Sequence, residues 1–103
     1  MDLTSMMKQA RDIQERVQGL QEELARKTVE AEAGAGMVRV KANGRQEIIS
    51  VQIAPEVVSS GDVAMLEDLV SAAVNEALRS ARELMQEEMT KITGGIRIPG
   101  INT

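Results

Sequence analysis

Nine basic side chains fall into three local groups, and neutralising phosphate is the chemistry that such groups can provide. One group lies on each of two candidate helices and one lies around a candidate hairpin: Lys8, Arg11 and Arg16; Arg79, Arg82 and Lys91; and Arg39, Lys41 and Arg45. Every group has acidic neighbours, so a solvated helix face or cross-strand pairing is the ordinary explanation of any one of them. The net charge of −4, from 12 basic and 16 acidic residues, provides no overall basic field.

Catalytic chemistry is poorly supported by the residue types present. The 103 residues include no cysteine and no histidine, which excludes a cysteine nucleophile, a serine–histidine triad, a disulfide and an ordinary zinc site. The carboxylate pairs Glu67/Asp68 and Glu87/Glu88 are adjacent in sequence, so on a helix the two members point in different directions. We therefore predict that the protein is not an enzyme and that it holds no metal or other cofactor.

The first element that must position these cations is a helix over residues 3–24. Its apolar residues are spaced alternately three and four apart, as in a heptad seam: Leu3, Met6, Ala10, Ile13, Val17, Leu20 and Leu24. Asp2 or Thr4 can cap its first turn. The seam leaves two interpretations open, because such a helix either packs on its own sheet or pairs with another long helix.

The segment 30–53 lies between two predicted long helices, and its sequence predicts strands and turns that reverse the chain. Asn43-Gly44 is typical of a two-residue hairpin turn, in which both central residues need positive φ. That turn places Ala42 opposite Arg45, Val40 opposite Glu47 and Val38 opposite Ile49. One face of the hairpin is then mostly apolar and includes Val38, Val40, Ala42, Ile49, Val51 and Ile53, whereas Ile48 falls on the polar face.

Charge and alternation predict the register of the preceding strand, which covers about residues 28–33. Pairing Ala33 with Val38, Ala31 with Val40 and Val29 with Ala42 keeps the apolar face continuous. The same register sets Glu32 across from Arg39 and Glu30 across from Lys41, which is mildly stabilising. Residues 34–37 then form the connecting loop, and the sequence predicts a three-stranded antiparallel meander.

A second long helix follows the meander. Pro55 ends the sheet and allows a helical turn over residues 55–58, and Asp62 is expected to cap a helix over residues 63–92. Its alanine-rich first half is expected to pack on the sheet, and Gly94-Gly95 is a stop signal. We predict one α+β domain over residues 1–95 and a short tail, 96–103, that is either mobile or docked on a partner.

The helix lengths predict association. A compact domain of this size has a radius of gyration near ~13 Å, whereas thirty helical residues extend about 45 Å. Exposed seams would therefore pair with each other or with a second copy, and a twofold homodimer is expected. Its contacts are assigned to seam residues of both helices: Met6, Ala10, Ile13, Val17, Leu20, Met85 and Met89. No apolar run approaches the ~20 residues of a membrane span, and no secretory signal begins the chain, so we expect a cytoplasmic protein.

Three segments in this order carry a family resemblance. They are MKQARDIQERVQGLQEELA in the first helix, AGAGMVRVKANGRQEIISVQIAPE across the meander, and MLEDLVSAAVNEAL followed by ITGGIRIPG. Together they resemble the YbaB/EbfC family of bacterial nucleoid-associated proteins. The resemblance implies an α-β-β-β-α layout, an intertwined homodimer with helical arms that project like tweezers, and non-enzymatic binding of duplex DNA at the nucleoid. A role in nucleoid organisation and gene expression is a further expectation.

The resemblance also implies where DNA would bind. It points to the outward faces of the projecting helices, which here carry Lys8, Arg11, Arg79, Arg82 and Lys91, with Arg39, Lys41 and Arg45 as secondary candidates. Their expected role is to neutralise phosphates and position the dimer, with few base-edge contacts. The alternative is a coiled-coil-like adaptor whose seams bind a recombination or replication protein, since genes for such factors often neighbour genes of this family.

Overall fold

The computed structural model describes residues 2–93, with side chains described as far as Lys91. The elements in order are α1 (Leu3–Arg26), β1 (Thr28–Ala33), β2 (Val38–Asn43), β3 (Ile48–Ile53), α2 (Pro55–Ser59) and α3 (Val63–Thr93). This order confirms the predicted α+β fold, with α2 as the helical turn after the sheet. The predicted stop at Gly94-Gly95 and the tail 96–103 lie outside the described residues.

Both long helices begin at aspartates that the sequence offers as caps. The Oδ1 atom of Asp2 accepts a hydrogen bond of 2.8 Å from the backbone N–H of Ser5. Asp62 does the same for Met65 at 3.0 Å. Each bond satisfies one of the N–H groups that a helix start leaves without a partner inside the helix.

The first hairpin has the predicted register. Ala33 lies opposite Val38, and Glu32 lies opposite Arg39 in the antiparallel pair of β1 and β2. The connecting loop turns through three consecutive residues of positive φ, 63° at Gly34, 54° at Ala35 and 88° at Gly36. The two glycines therefore supply left-handed positions, and Ala35 adds a third.

The predicted register of the second hairpin is wrong. Val40 lies opposite Val51 and Val38 lies opposite Ile53, four residues from the expected partners. The chain turns through residues 44–47, in which Gln46, with φ of 63°, takes the left-handed position. The observed register pairs apolar with apolar residues, whereas the predicted register would have set a carboxylate on the core face.

A shift between Lys41 and Ala42 interrupts this second hairpin. Ile48 pairs with Ala42 and Ser50 pairs with Lys41, so Ile49 is the extra residue of a β-bulge. Because Ala42 belongs to the core face, Ile48 shares that face and not the polar one on which the sequence placed it.

Small side chains let α3 lie close to the sheet. Ala73, Ala77 and Ala81 are fully buried against Val38 and Val40, which confirms that the alanine-rich half of the helix packs on the strands. The helix covers β1 and β2, whereas every residue of the edge strand β3 is exposed. The core is therefore confined to two of the three strands.

The molecule is elongated, and α1 projects from its body. The radius of gyration is 19.6 Å and the principal extents are 68 × 28 × 17 Å, compared with ~13 Å for a compact chain of this length. Leu24 is the one buried residue of α1, so only the last turn of this helix is fixed to the body. The rest of α1 forms an arm.

Candidate nucleic-acid interface

The first group of predicted contacts lies on the arm. Lys8 and Arg11 are exposed on α1, and neither makes an ion pair with another described residue. Met6, Ala10 and Ile13 define the apolar side of the helix, and the helical period turns both cations away from it. These two side chains are therefore available to an external anion.

Two of the three predicted cations of α3 already form ion pairs. Arg79 lies between Glu76 and Glu83 and hydrogen-bonds to both; its Nε atom lies 3.1 Å from Oε2 of Glu76. The carboxylate of Glu76, followed by the charge of Glu83, raises the pKa of Arg79 above its usual range. Lys91 donates to Oε1 of Glu88 at 3.2 Å. On α3, Arg82 alone among the predicted contacts is exposed without a described ion-pair partner.

The outer face of the sheet is balanced in charge. The Nε atom of Arg39 lies 3.6 Å from Oε2 of Glu32. Lys41 is exposed opposite Glu30 but lies beyond ion-pair distance of it. Of the eight predicted contacts, the five without an ion pair among the described residues are Lys8, Arg11, Lys41, Arg45 and Arg82.

The predicted seam is largely exposed to solvent in the single chain. On α1, the exposed fraction is 52% for Met6, 61% for Ile13 and 51% for Val17. Ala10 is exposed as well, and Leu20 and Met85 are half-buried. Met89 near the end of α3 is 48% exposed. The structure therefore leaves these residues accessible to a partner.

The sequence interpretation missed a second apolar surface, on β3. Four large side chains of this strand are 38–52% exposed and are called here the β3 apolar surface: Ile48, Ile49, Val51 and Ile53. The predicted register hid this surface, because it treated the apolar face as one continuous layer under a helix. The run of β-branched residues in 48–53 is a signal for it, since α3 is too narrow to cover three strands.

A partly buried ion pair joins the base of the arm to α3, and no sequence pattern indicates it. Oε1 of Glu88 accepts hydrogen bonds from Nζ of Lys27, which directly follows α1, and from Lys91. The Glu88 side chain is only 4% exposed. Hydrogen bonding by Lys27 and then Lys91 lowers the pKa of the Glu88 carboxyl, and the bond to Glu88 raises the pKa of Lys27.

This pair predicts a specific pH dependence. Because the folded-state pKa of Glu88 is lowered, its contribution to stability is present above the ordinary value of 4.5 and is lost as the pH falls through the folded value. We expect urea unfolding to show wild type more stable than Glu88→Gln at neutral pH. The difference should shrink below pH 4.5 and vanish once Glu88 is protonated in the folded chain. A difference that is independent of pH contradicts this assignment.

The described residues offer neither a metal site nor a membrane-spanning helix. Residues 2–91 bring together no cluster of carboxylate, histidine or cysteine side chains suited to a metal ion. Within the same part of the chain, neither long helix combines the length and the apolar character needed to cross a bilayer.

Comparisons with known proteins show the family of this chain. The model of the YbaB/EbfC DNA-binding family matches residues 1–96. A nucleoid-associated protein of Thermoanaerobacter pseudethanolicus is 56% identical over 100 residues, covering 97% of this chain and 90% of the relative. One from Moorella thermoacetica is 54% identical over 99 residues, covering 96% and 95%.

A solved structure has the same fold. An uncharacterized protein of Helicobacter pylori superposes with a TM-score of 0.79 at 20% identity, covering 91% of this chain and 99% of that one. This similarity concerns the fold alone, whereas the family match covers nearly all of the sequence. The chain belongs to the YbaB/EbfC DNA-binding family.

Proposed function

We propose that this protein binds duplex DNA as a homodimer at the nucleoid of a bacterial cell, without catalysis, and contributes to nucleoid organisation and gene expression. The observation that carries the proposal is the state of Lys8 and Arg11. Both are exposed on a projecting arm and free of ion pairs with described residues, in a chain of a DNA-binding family.

The unpaired cations are assigned the larger share of the binding. Arg79, Lys91 and Arg39 already lie beside carboxylates, so a phosphate would have to replace a partner that is in place. Lys8, Arg11 and Arg82 have no such competitor among the described residues. Lys41 and Arg45 remain secondary candidates because the sheet around them is balanced in charge.

Phosphate contacts explain how an acidic chain can bind DNA. With a net charge of −4, long-range attraction is absent, so binding depends on a few cations held at close range. Such contacts fix the register of a protein on the duplex but carry no sequence information directly. We therefore expect weak sequence preference.

The experiment that tests DNA binding is a titration of labelled duplex at several salt concentrations. If Z phosphates are neutralised, log K falls with log salt with a slope of about −0.9 Z. We expect a shift at low salt that weakens steeply as salt rises. Absence of any shift at low salt overturns the DNA proposal.

Two exposed apolar surfaces support the homodimer. The seam on the arm and the β3 apolar surface together leave large side chains in water, and β3 is also an unpaired sheet edge. Exposed edges and contiguous apolar patches are features that soluble proteins normally cover. A second copy brings identical surfaces with twofold symmetry, so one interface can cover both chains. The seam residues named from the sequence are retained in this proposed interface.

A single substitution on β3 tests the dimer. Val51→Asp should convert the dimer to a monomer at micromolar concentration, because the new carboxylate would be desolvated in the interface. The chain itself should still fold, since Val51 is 42% exposed in the single chain. Sedimentation and circular dichroism measure the two outcomes.

The matched control is Ser50→Asp on the opposite face of the same strand. Ser50 pairs with Lys41 on the polar side of the sheet, so this variant should remain dimeric. If Val51→Asp keeps the mass of a dimer, the β3 apolar surface is not part of the interface.

The exposed seam also supports a second candidate, the protein-binding adaptor. An acidic chain with an uncovered apolar stripe on α1 can bind a helix of a recombination or replication protein with weak or indirect DNA association. The salt titration separates the two candidates. The adaptor predicts no direct shift of duplex even at low salt, whereas phosphate binding predicts a steep salt dependence.

A further inference from the structure

Glu88 is the most deeply buried carboxylate among the described residues, in a chain proposed to bind an anionic polymer. Its side chain is 4% exposed and accepts hydrogen bonds from Lys27 and from Lys91. Nζ of Lys27 also lies 3.4 Å from Oε1 of Glu23 on α1. A negative charge in this place opposes DNA binding by its sign, so any favourable contribution of Glu88 must come from its contacts with the two lysines.

The position of Lys27 suggests that contribution. Lys27 is the C-cap residue of α1, and its backbone turns from helical to extended there, with φ of −84° and ψ of 133°. Glu88 lies in the last two turns of α3, 61 residues further along the chain. The pair therefore ties the corner between α1 and β1 to the far end of the other long helix.

The arm has few other attachments to the body. Leu24 packs beneath Gly44, whose backbone N–H donates to the carbonyl oxygens of Leu24 at 2.9 Å and Lys27 at 3.1 Å. These bonds fix the position of the end of the helix but allow α1 to rotate about that point. Glu88 contacts the same corner from α3, a separate element, and so restrains that rotation.

A small rotation at this joint has a large effect at the tip. The 24 residues of α1 extend about 36 Å, so a rotation of about 10° moves the far end by about 6 Å. Successive phosphates of one DNA strand are spaced about 3.4 Å along the helix axis. Lys8 and Arg11 lie about 27 Å and about 23 Å from the end of α1, so the same rotation would move them by about 5 Å and about 4 Å, more than one phosphate step along the axis.

An ion pair is suited to fixing a direction. Apolar side chains of similar size often replace a buried ion pair without loss of stability, and their contacts are non-directional. A buried carboxylate, in contrast, is satisfied only while the ammonium group stays within hydrogen-bond distance of it. The joint should therefore contribute more to the orientation of α1 than to the stability of the fold.

We propose that Glu88 is a positioning residue: with Lys27 and Lys91 it fixes the angle at which α1 leaves the body, and so sets where the arm cations meet DNA. This assigns Lys91 to the joint instead of to the DNA surface. The effect on the angle stands on the structure alone, and the effect on DNA rests on the proposed function.

The angle is measured with two spin labels in one chain. Because the natural sequence has no cysteine, Glu15→Cys on the arm and Ala72→Cys on the body provide unique attachment sites, and both positions are exposed. Labelled chains are diluted with unlabelled chains, so that only the distance within one chain contributes. We expect a single narrow distance distribution in the otherwise wild-type protein.

The informative variant combines Lys27→Met with Glu88→Met. It should unfold at nearly the wild-type temperature, yet broaden the distance distribution or shift it by about 3 Å, the displacement that a rotation of about 10° produces at residue 15. The control is Glu76→Gln, which breaks the exposed pair with Arg79 on the same helix and should leave the distribution unchanged. An unchanged distribution in the double variant overturns the positioning role.

DNA binding supplies a test of sign. Charge alone predicts that Glu88→Gln binds duplex more tightly, because a carboxylate has been removed. Positioning predicts that binding weakens by about tenfold, because the arm cations no longer meet the phosphates in register. Tighter binding overturns the proposal. If wild type fails to bind duplex at low salt, the proposed function fails, while the distance measurement still decides the role of Glu88 at the joint.

Discussion

Asn43→Ala should lower the free energy of unfolding by about 3 kcal/mol, a large loss for a single polar side chain. Asn43 is 3% exposed, and its amide makes hydrogen bonds in both directions. Its Oδ1 atom accepts from the backbone N–H groups of Arg45 at 3.0 Å and Glu47 at 3.1 Å. Its Nδ2 group donates to Oε1 of Glu47 at 2.7 Å and to the carbonyl of Ala25 at 3.4 Å.

The expected loss follows from what the alanine leaves behind. Each buried polar group that loses its partner costs about 1–3 kcal/mol, and the tight loop and the last turn of α1 lose partners together. Urea unfolding followed by circular dichroism measures the effect. The control is Asn75→Ala on the exposed side of α3, which should change stability by no more than about 0.5 kcal/mol. A loss below about 1 kcal/mol for Asn43→Ala would show that water replaces these hydrogen bonds.

The same residues explain why one hairpin was predictable and the other was not. The register of β1 and β2 follows from side chains within the hairpin itself. Opposite charges are favoured across the strands at Glu32 and Arg39, and apolar side chains are favoured across from each other at Ala31 and Val40. At Asn43-Gly44 the local pattern is typical of a two-residue turn. The backbone N–H of Gly44 instead donates hydrogen bonds to carbonyl oxygens at the end of α1. The residues of the hairpin alone do not predict that contact.

The candidate interface divides in the same way. The exposure of Lys8 and Arg11 follows from the heptad spacing of the first helix, which is local information. The pairing of Arg79 was also visible, because Glu76 and Glu83 stand three residues before it and four residues after it. The contact between Lys27 and Glu88 joins residues 61 positions apart, and no periodicity connects them.

The elongated shape of the molecule follows from the sequence. Two long helices and a small sheet cannot form a compact body, and the extents of 68 × 28 × 17 Å agree with that expectation. The incomplete cover of the sheet was not predicted: α3 buries much of β2 and leaves β3 exposed. Val51 and Ile53 continue the apolar face of the sheet beside Val40 and Val38. In the proposed homodimer the second copy would cover this part of the face.

Reversing the charge of the two arm cations should have the largest effect on DNA binding. Lys8→Glu combined with Arg11→Glu is expected to weaken duplex binding by roughly 100-fold or more at low salt, because contacts with phosphate become repulsions in both chains of the dimer. The fold and the oligomeric state should not change, since both side chains are exposed and make no described ion pair. Fluorescence anisotropy with labelled duplex and sedimentation of the same samples measure the two outcomes.

The salt dependence distinguishes direct contact from a general change of charge. In the neutral pair, Lys8→Gln with Arg11→Gln, each lost phosphate contact should reduce the magnitude of the salt slope by about 0.9. The control, Gln52→Glu with Asn75→Asp, lowers the net charge by the same amount at exposed positions away from the arm. If the control weakens binding as much as the neutral pair and the slopes agree, the arm cations do not contact phosphate. In that case the acidic net charge governs binding, and the DNA surface must lie elsewhere on the molecule.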